Sequence, residues 1–286
     1  MPRSLLSILG ALLAALFTLS LVTAAPAHAK TIDLAGTVAL SNCSGSVVEL
    51  AGTPDTAPAL VLSNGHCLES GFPRPGEVIA DRPSQRTFAL LGGDGRELGT
   101  LRAERLLYAT MTHTDVSLYR LDVSYADLKR AHGITPRVLA TSGPAPGTGI
   151  TVASGYWKRT YTCAVDGFAH ELHEGGYVWR NSIRYTRACD TIGGTSGSPI
   201  VDTATGQVVG VNNTGNTEGG RCTMNNPCEV DEQGRVTVRR GANYGQHTEG
   251  LYGCLTRAND PAFDAPACTL PKPPAAAVTG ATRIPA

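Results

Sequence analysis

Thr191-Ile192-Gly193-Gly194-Thr195-Ser196-Gly197-Ser198-Pro199 is the stretch from which the rest of the chain can be read. A serine alone is a weak nucleophile. Here glycines flank it, and their backbone can bend tightly enough to leave N–H groups aimed at one spot. Acyl transfer needs that combination of a hydroxyl to activate and donors to hold the developing oxyanion. Gly-x-Ser-Gly also occurs in ordinary turns, so the reading depends on finding a base and an orienting acid. Both are present: His66 in Leu62-Ser63-Asn64-Gly65-His66-Cys67, and Asp115 in Thr114-Asp115-Val116-Ser117-Leu118-Tyr119-Arg120-Leu121.

The order His66, Asp115, Ser196, with gaps of 49 and 81 residues, resembles the chymotrypsin-like serine peptidases. Gly65-His66-Cys67, with Cys43 upstream, is similar to that family's histidine loop. Asp115 to Leu121 is similar to its aspartate strand. Gly194-Thr195-Ser196-Gly197-Ser198-Pro199 resembles the V8/glutamyl endopeptidase branch more than the animal trypsins. The resemblance implies an all-β fold of two antiparallel β-barrels with a crevice between them. It implies Ser196 as nucleophile, His66 as general base and then acid, and Asp115 as the group that orients the imidazole. Gly194 and Ser196 would supply the oxyanion N–H donors. Protein or peptide substrates, proteinaceous inhibitors, a monomeric state and no cofactor follow from the same resemblance.

It also places Asp190, Thr191, Asn212, Asn213 and Gly215 at the substrate pocket. There the pattern is mixed. Asp190 stands where trypsins keep the carboxylate for Arg or Lys, but Ile192 replaces a cysteine those enzymes keep. Thr191 fits an acidic specificity, but Asn212 replaces the histidine that would complete it. A third reading turns Asp190 away from the pocket. Thr195 replaces the aspartate with which a freed N-terminus ion-pairs in animal trypsins, so that route of activation is closed. Thr214 replaces a tryptophan that packs along the substrate backbone. Asn213 replaces a serine that supports the catalytic aspartate, and its amide is able to donate the same bond.

Arg3, the apolar run Leu5 to Ala24 and Ala27-His28-Ala29 before Lys30 read as a secretory signal over residues 1–29. Export predicts a secreted protein with no membrane association after cleavage. Eight cysteines in an exported chain point to disulfides, with 105 possible pairings. The resemblance implies Cys43–Cys67. Local order suggests Cys163–Cys189, Cys222–Cys228 and Cys254–Cys268. No Cys-x2-Cys pair suggests zinc, and His170-Glu171-Leu172-His173 misses the metallopeptidase spacing, because Glu174 stands where the second histidine belongs. No metal is predicted.

Without residues 1–29, which hold only Arg3, 23 basic and 24 acidic residues remain, a formal charge of −1. That balance argues against nucleic acid or a membrane surface. Thirty-three glycines, eighteen prolines and short β-rich runs, such as Gly45–Leu50, Ala59–Leu62, Ile150–Ala153 and Gln207–Val211, fit an all-β plan. One short C-terminal helix is predicted within Gln246–Thr256. Ser142–Gly149 reads as a linker between an N-terminal barrel over 30–145, with His66 and Asp115, and a C-terminal barrel over 146–258, with Ser196. Residues 259–286 read as a Pro/Ala-rich tail. Two other functions fit fewer features. An esterase or amidase would place its serine in a strand–turn–helix elbow. A catalytically silent binding module would be expected to lack part of the triad.

Overall fold

The structure is a computed structural model and describes residues 30–273. The predicted signal segment and residues 274–286 lie outside the described residues. The amino-terminal half contributes strands β1 (Thr37–Ala39), β2 (Ser44–Glu49), β3 (Pro58–Ser63), β4 (Val78–Pro83), β5 (Thr87–Leu91), β6 (Glu97–Thr110), β7 (Val116–Ser124) and β8 (Arg137–Val138). Six of them pair in a ring, β1-β5-β6-β7-β3-β2 and back to β1, so this sheet is a closed barrel without edges. The other half contributes β9 (Gly149–Ser154), β10 (Arg159–Glu174), β11 (Tyr177–Tyr185), β12 (Pro199–Asp202), β13 (Val208–Gly215), β14 (Cys228–Val230), β15 (Val236–Thr237) and β16 (Asn243–His247). Its pairings also run in a ring, β9-β10-β11-β16-β13-β12 and back to β9. Nearly every pairing is antiparallel. This is the chymotrypsin-like architecture.

Side-chain patterning explains why the strands close. Along β6, Leu101 and Ala103 are buried while Arg102 and Glu104 are exposed, the period-two signature of a strand with one wet face. From Leu107 to Thr110 the strand is buried on both sides. Leu106 and Ala109 join the barrel core, while Leu107 and Tyr108 join the core shared with the other half. One core inside the first barrel gathers Val38, Val47, Val61, Phe88, Leu90 and Leu121. A second joins the halves: Val48, Leu60, Leu62, Leu107 and Leu118 of the first pack with Val201, Val208 and Val211 of the other. Ile150, Val152, Ile183 and Ile200 belong to the core of the second barrel.

The short C-terminal helix expected within Gln246–Thr256 is present as a 3-10 helix, Glu249–Cys254, which begins after the end of β16. Gln246 and His247 pair with β13, which leaves no room for a helical turn there. An α-helix, α1 (Tyr125–His132), was not anticipated. Its start is a capping box in which Ser124 and Asp127 satisfy each other's backbone N–H, and Gly133 ends it in the left-handed region at φ 67°. Ser124-x-x-Asp127 and Gly133 were the available signals.

The beginning of the predicted tail is also different: residues 259–273 are packed. Asn259 donates to Pro58 O at 2.8 Å, Phe263 is buried, and Tyr108 donates to Pro271 O at 2.9 Å. Phe263, Cys268 and Leu270 give the segment apolar side chains to bury, which the Pro/Ala composition concealed. All four disulfides are Cys43–Cys67, Cys163–Cys189, Cys222–Cys228 and Cys254–Cys268. Among the described residues no helix is long and apolar enough to cross a membrane.

Candidate active site

His66 sits in a 3-10 turn, Gly65–Cys67, between β3 and β4. The Cys43–Cys67 disulfide ties that turn to the residue before β2. Arg86, itself 3% exposed, donates to Cys67 O, to the Tyr119 hydroxyl and to Asn42 Oδ1, so a buried guanidinium braces the same turn. Asp115 is fully buried just before β7. Its Oδ1 accepts the His66 backbone N–H at 3.1 Å and its Oδ2 lies 2.7 Å from His66 Nδ1. The ring nitrogen that faces Asp115 is thereby fixed, leaving Nε2 for other work. Asn64 Nδ2 donates to Asp115 O at 2.7 Å, and Ser117 donates to Asn64 O at 2.7 Å.

Burial by itself would lower the pKa of His66. The Asp115 charge and hydrogen bond, joined by the Glu174 charge, outweigh it and raise the imidazole above its ordinary 6.5. Glu174, at the end of β10, is buried; one oxygen accepts the Asn225 N–H at 2.7 Å and the other has no partner. Burial accordingly raises its own pKa.

Ser196 lies across the cleft, on the loop before β12. Its hydroxyl donates to Asn213 O at 3.2 Å, and its carbonyl accepts the Ser44 N–H at 2.8 Å. Gly194 has φ +89°, which an L side chain rarely adopts, and a Cβ there would meet the Tyr156 ring at 2.8 Å. Among the described residues, the N–H groups of Gly194 and Ser196 have no acceptor. Thr195 is buried and neutral. It donates to Ile192 O, and Asn212 Nδ2 donates to both its carbonyl and its hydroxyl at 3.1 Å. Lys30, by contrast, is bonded to Thr203 O and Thr205 O.

His66, Asp115 and Ser196 line one cleft of about 410 Å³, together with Thr191, Asn212, Asn213 and Gly215. Asp190 is exposed and is not among the residues lining that cleft. Thr191 donates to Asn243 Oδ1 at 2.9 Å, and Asn243 donates to Cys189 O at 3.0 Å. Asn243 was missed because the sequence argument stopped at β13, and its strand comes later. It also lies against Gly215, where a Cβ would come within 2.2 Å of Asn243 Oδ1. The amide of Asn213 has no hydrogen-bond partner, so the expected bond to Asp115 is not made. The sulfur and nitrogen atoms of Cys43, His66 and Cys67 lie within 4.8 Å of one another, but the disulfide leaves no thiolate to bind a metal.

Two rings of strands with a His–Asp pair on one and a glycine-bounded serine on the other define a peptidase architecture. The chain belongs to the trypsin-like peptidase domain family, whose model matches residues 43–211. Among solved structures it is similar to the MamO protease domain from Magnetospirillum magneticum, at 13% identity and TM-score 0.49, covering 79% of this chain and 98% of that one. It is also similar to the Rv3671c protease of M. tuberculosis in an inactive form, at 14% identity and TM-score 0.46, covering 77% and 87%. A third is the thermostable serine protease AL20 from an extremophilic microorganism, at 16% identity and TM-score 0.43, covering 76% and 91%. No curated protein matches the sequence.

Proposed function

We propose that this chain is a secreted serine endopeptidase that hydrolyses peptide bonds through an acyl-enzyme. The observation that carries the reading is the 2.7 Å contact of His66 Nδ1 with buried Asp115, in one cleft with Ser196. His66 Nε2 takes the Ser196 proton as Oγ adds to the scissile carbonyl, and the imidazolium formed is stabilised by Asp115. The Gly194 and Ser196 N–H groups receive the carbonyl oxygen as it becomes an oxyanion. The proton then passes to the leaving amine, and the C–N bond breaks. Water, deprotonated by His66, cleaves the ester and returns the proton to Ser196.

For that transfer the Ser196 hydroxyl leaves Asn213 O and turns toward His66 Nε2. Residues 1–29 act as the signal and the chain beginning at Lys30 is competent without further cutting, since buried Thr195 is held by neutral bonds. Residues 30–145 and 146–258 form the two halves, and the product is a monomer. Within the family the serine motif is similar to the V8/glutamyl branch, but the pocket departs from it. Thr191, Asn212 and Asn243 present neutral groups beside Ser196, so the residue before the cut has an uncharged side chain.

Cleavage of a mixed peptide library, with and without a serine-directed phosphonate, tests this reading. Inhibitor-sensitive cuts after uncharged residues are expected. Cuts after Arg, Lys, Asp or Glu would overturn the pocket assignment. Absence of both cleavage and phosphonate labelling at Ser196 would overturn the enzyme.

A further inference from the structure

Each peptide unit of the serine loop has a visible anchor, and one of these anchors is unusual. Gly194 O accepts the Ser44 hydroxyl at 3.1 Å while the N–H of the same unit, on Thr195, donates to Ile192 O at 3.0 Å. Thr195 O is held by Asn212 Nδ2. The unit between Gly193 and Gly194 is tied by a single bond: Trp157 Nε1 donates to Gly193 O at 2.7 Å. Nothing else restrains it. A Cβ on Gly193 would meet nothing within 4 Å, and two glycines in a row impose little torsional preference of their own.

We infer that Trp157 is a positioning residue for the oxyanion site, holding the Gly193 carbonyl outward so that the Gly194 N–H faces the reacting carbonyl. The inference rests on the serine-peptidase reading above. The logic is that of a trans peptide. Its C=O and N–H point to opposite sides of one plane, so fixing the oxygen fixes the hydrogen. A rotation of that one unit would swing the carbonyl oxygen into the site and replace an attractive donor by a repulsive acceptor.

The indole is itself held in place. Tyr156 packs edge-on against it at 5.1 Å, and the Tyr156 N–H donates to Ser44 Oγ at 3.1 Å. Ser44 also contacts Ser154 Oγ at 3.0 Å. The hairpin carrying Trp157 and the strand carrying Ser44 therefore grip neighbouring units of the loop. Trp157 is 48% exposed, so its ring contributes little to the core and the hydrogen bond is the part that matters.

Trp157→Phe keeps an aromatic ring and removes the N–H donor, at the cost of some ring area on a side chain already 48% exposed. A neutral hydrogen bond contributes roughly 0.5–1.5 kcal/mol net, which is about a two- to twelvefold change. We expect kcat to fall by that factor, with KM and the unfolding temperature unchanged. Binding of a peptide boronic acid, whose tetrahedral adduct occupies the oxyanion site, should weaken by the same factor. Binding of the matching peptide amide, which forms no adduct, should not. Unchanged kcat and boronate affinity in Trp157→Phe would overturn the inference. So would losses shared equally by the amide, KM and thermal stability, because those would mark a structural role. A wild-type chain that neither cleaves peptides nor binds the boronate would overturn the peptidase reading itself, and the role of Trp157 with it.

Discussion

Ser196, Gly194 and His66 have separable consequences. Ser196→Ala removes the attacking oxygen and should lower kcat roughly a million-fold without shifting the unfolding temperature. Full activity in that variant would mean that another group is the nucleophile. Gly194→Ala forces a side chain into a left-handed backbone already in contact with Tyr156 and Trp157. Loss of a single oxyanion donor typically costs about 10²- to 10³-fold in kcat, and single-turnover kinetics should show that loss in acylation.

His66 must be neutral to accept a proton, and the fold raises its pKa above 6.5. The pH profile of kcat/KM should therefore rise through a midpoint above 6.5. The same shift runs the other way for stability. The stabilisation from charged His66 is fully present below 6.5 and is lost as pH rises through the raised value. Glu174→Gln removes one of the charges responsible, so its midpoint should move down, and an unmoved profile would exclude Glu174 from the electrostatics of the site. The motifs around His66, Asp115 and Ser196 were readable as candidates because each is short and local. Trp157 and Asn243 were not: their roles depend on contacts 36 and 52 residues away in the chain, with Gly193 and Thr191.

The histidine turn is braced by one covalent link and one buried cation. Removing a native disulfide commonly costs about 2–5 kcal/mol in a small secreted domain, so Cys43→Ser should lower thermal stability as well as loosen the turn that bears His66. Calorimetry of that variant checks the link, and an unchanged transition would show it to be dispensable. Arg86→Met fills similar space but removes the donor to Asn42 Oδ1 and to the buried Tyr119 hydroxyl, and leaves Cys67 O with Asn42 Nδ2 alone. An unsatisfied buried polar group costs about 1–3 kcal/mol, so a lower denaturant midpoint is expected with the urea slope unchanged. Strands such as Ala59–Leu62 and Gln207–Val211 were legible because β-branched and apolar runs bounded by turn residues have few other uses. The helix within Gln246–Thr256 is shorter than that range, Glu249–Cys254, for the opposite reason. Gln246 and His247 pair with Val211 and Gly210, and tertiary pairing overrode a weak local preference. α1 carried its signals in the cap, on either side of the segment, where a search for apolar periodicity does not look.

The two barrels meet along an apolar seam in which Leu60, Leu62 and Leu107 pack with Val201 and Val208. His66 and Asp115 approach from one side of the cleft and Ser196 from the other, so the activity belongs to neither half alone. The overall plan was visible in sequence as two β-rich stretches around a Gly/Pro linker, whereas the packing of residues 259–273 was not. Those residues follow the serine-bearing half, yet Asn259 bonds Pro58 O and the Tyr125 hydroxyl, Tyr108 bonds Pro271 O, and Phe263 lies 5.1 Å from the Tyr108 ring. The end of the described chain thus covers its beginning. During synthesis the amino-terminal barrel emerges before the segment that closes its outer face, so a chain cut before Asn259 would carry His66, Asp115 and Ser196 without that cover.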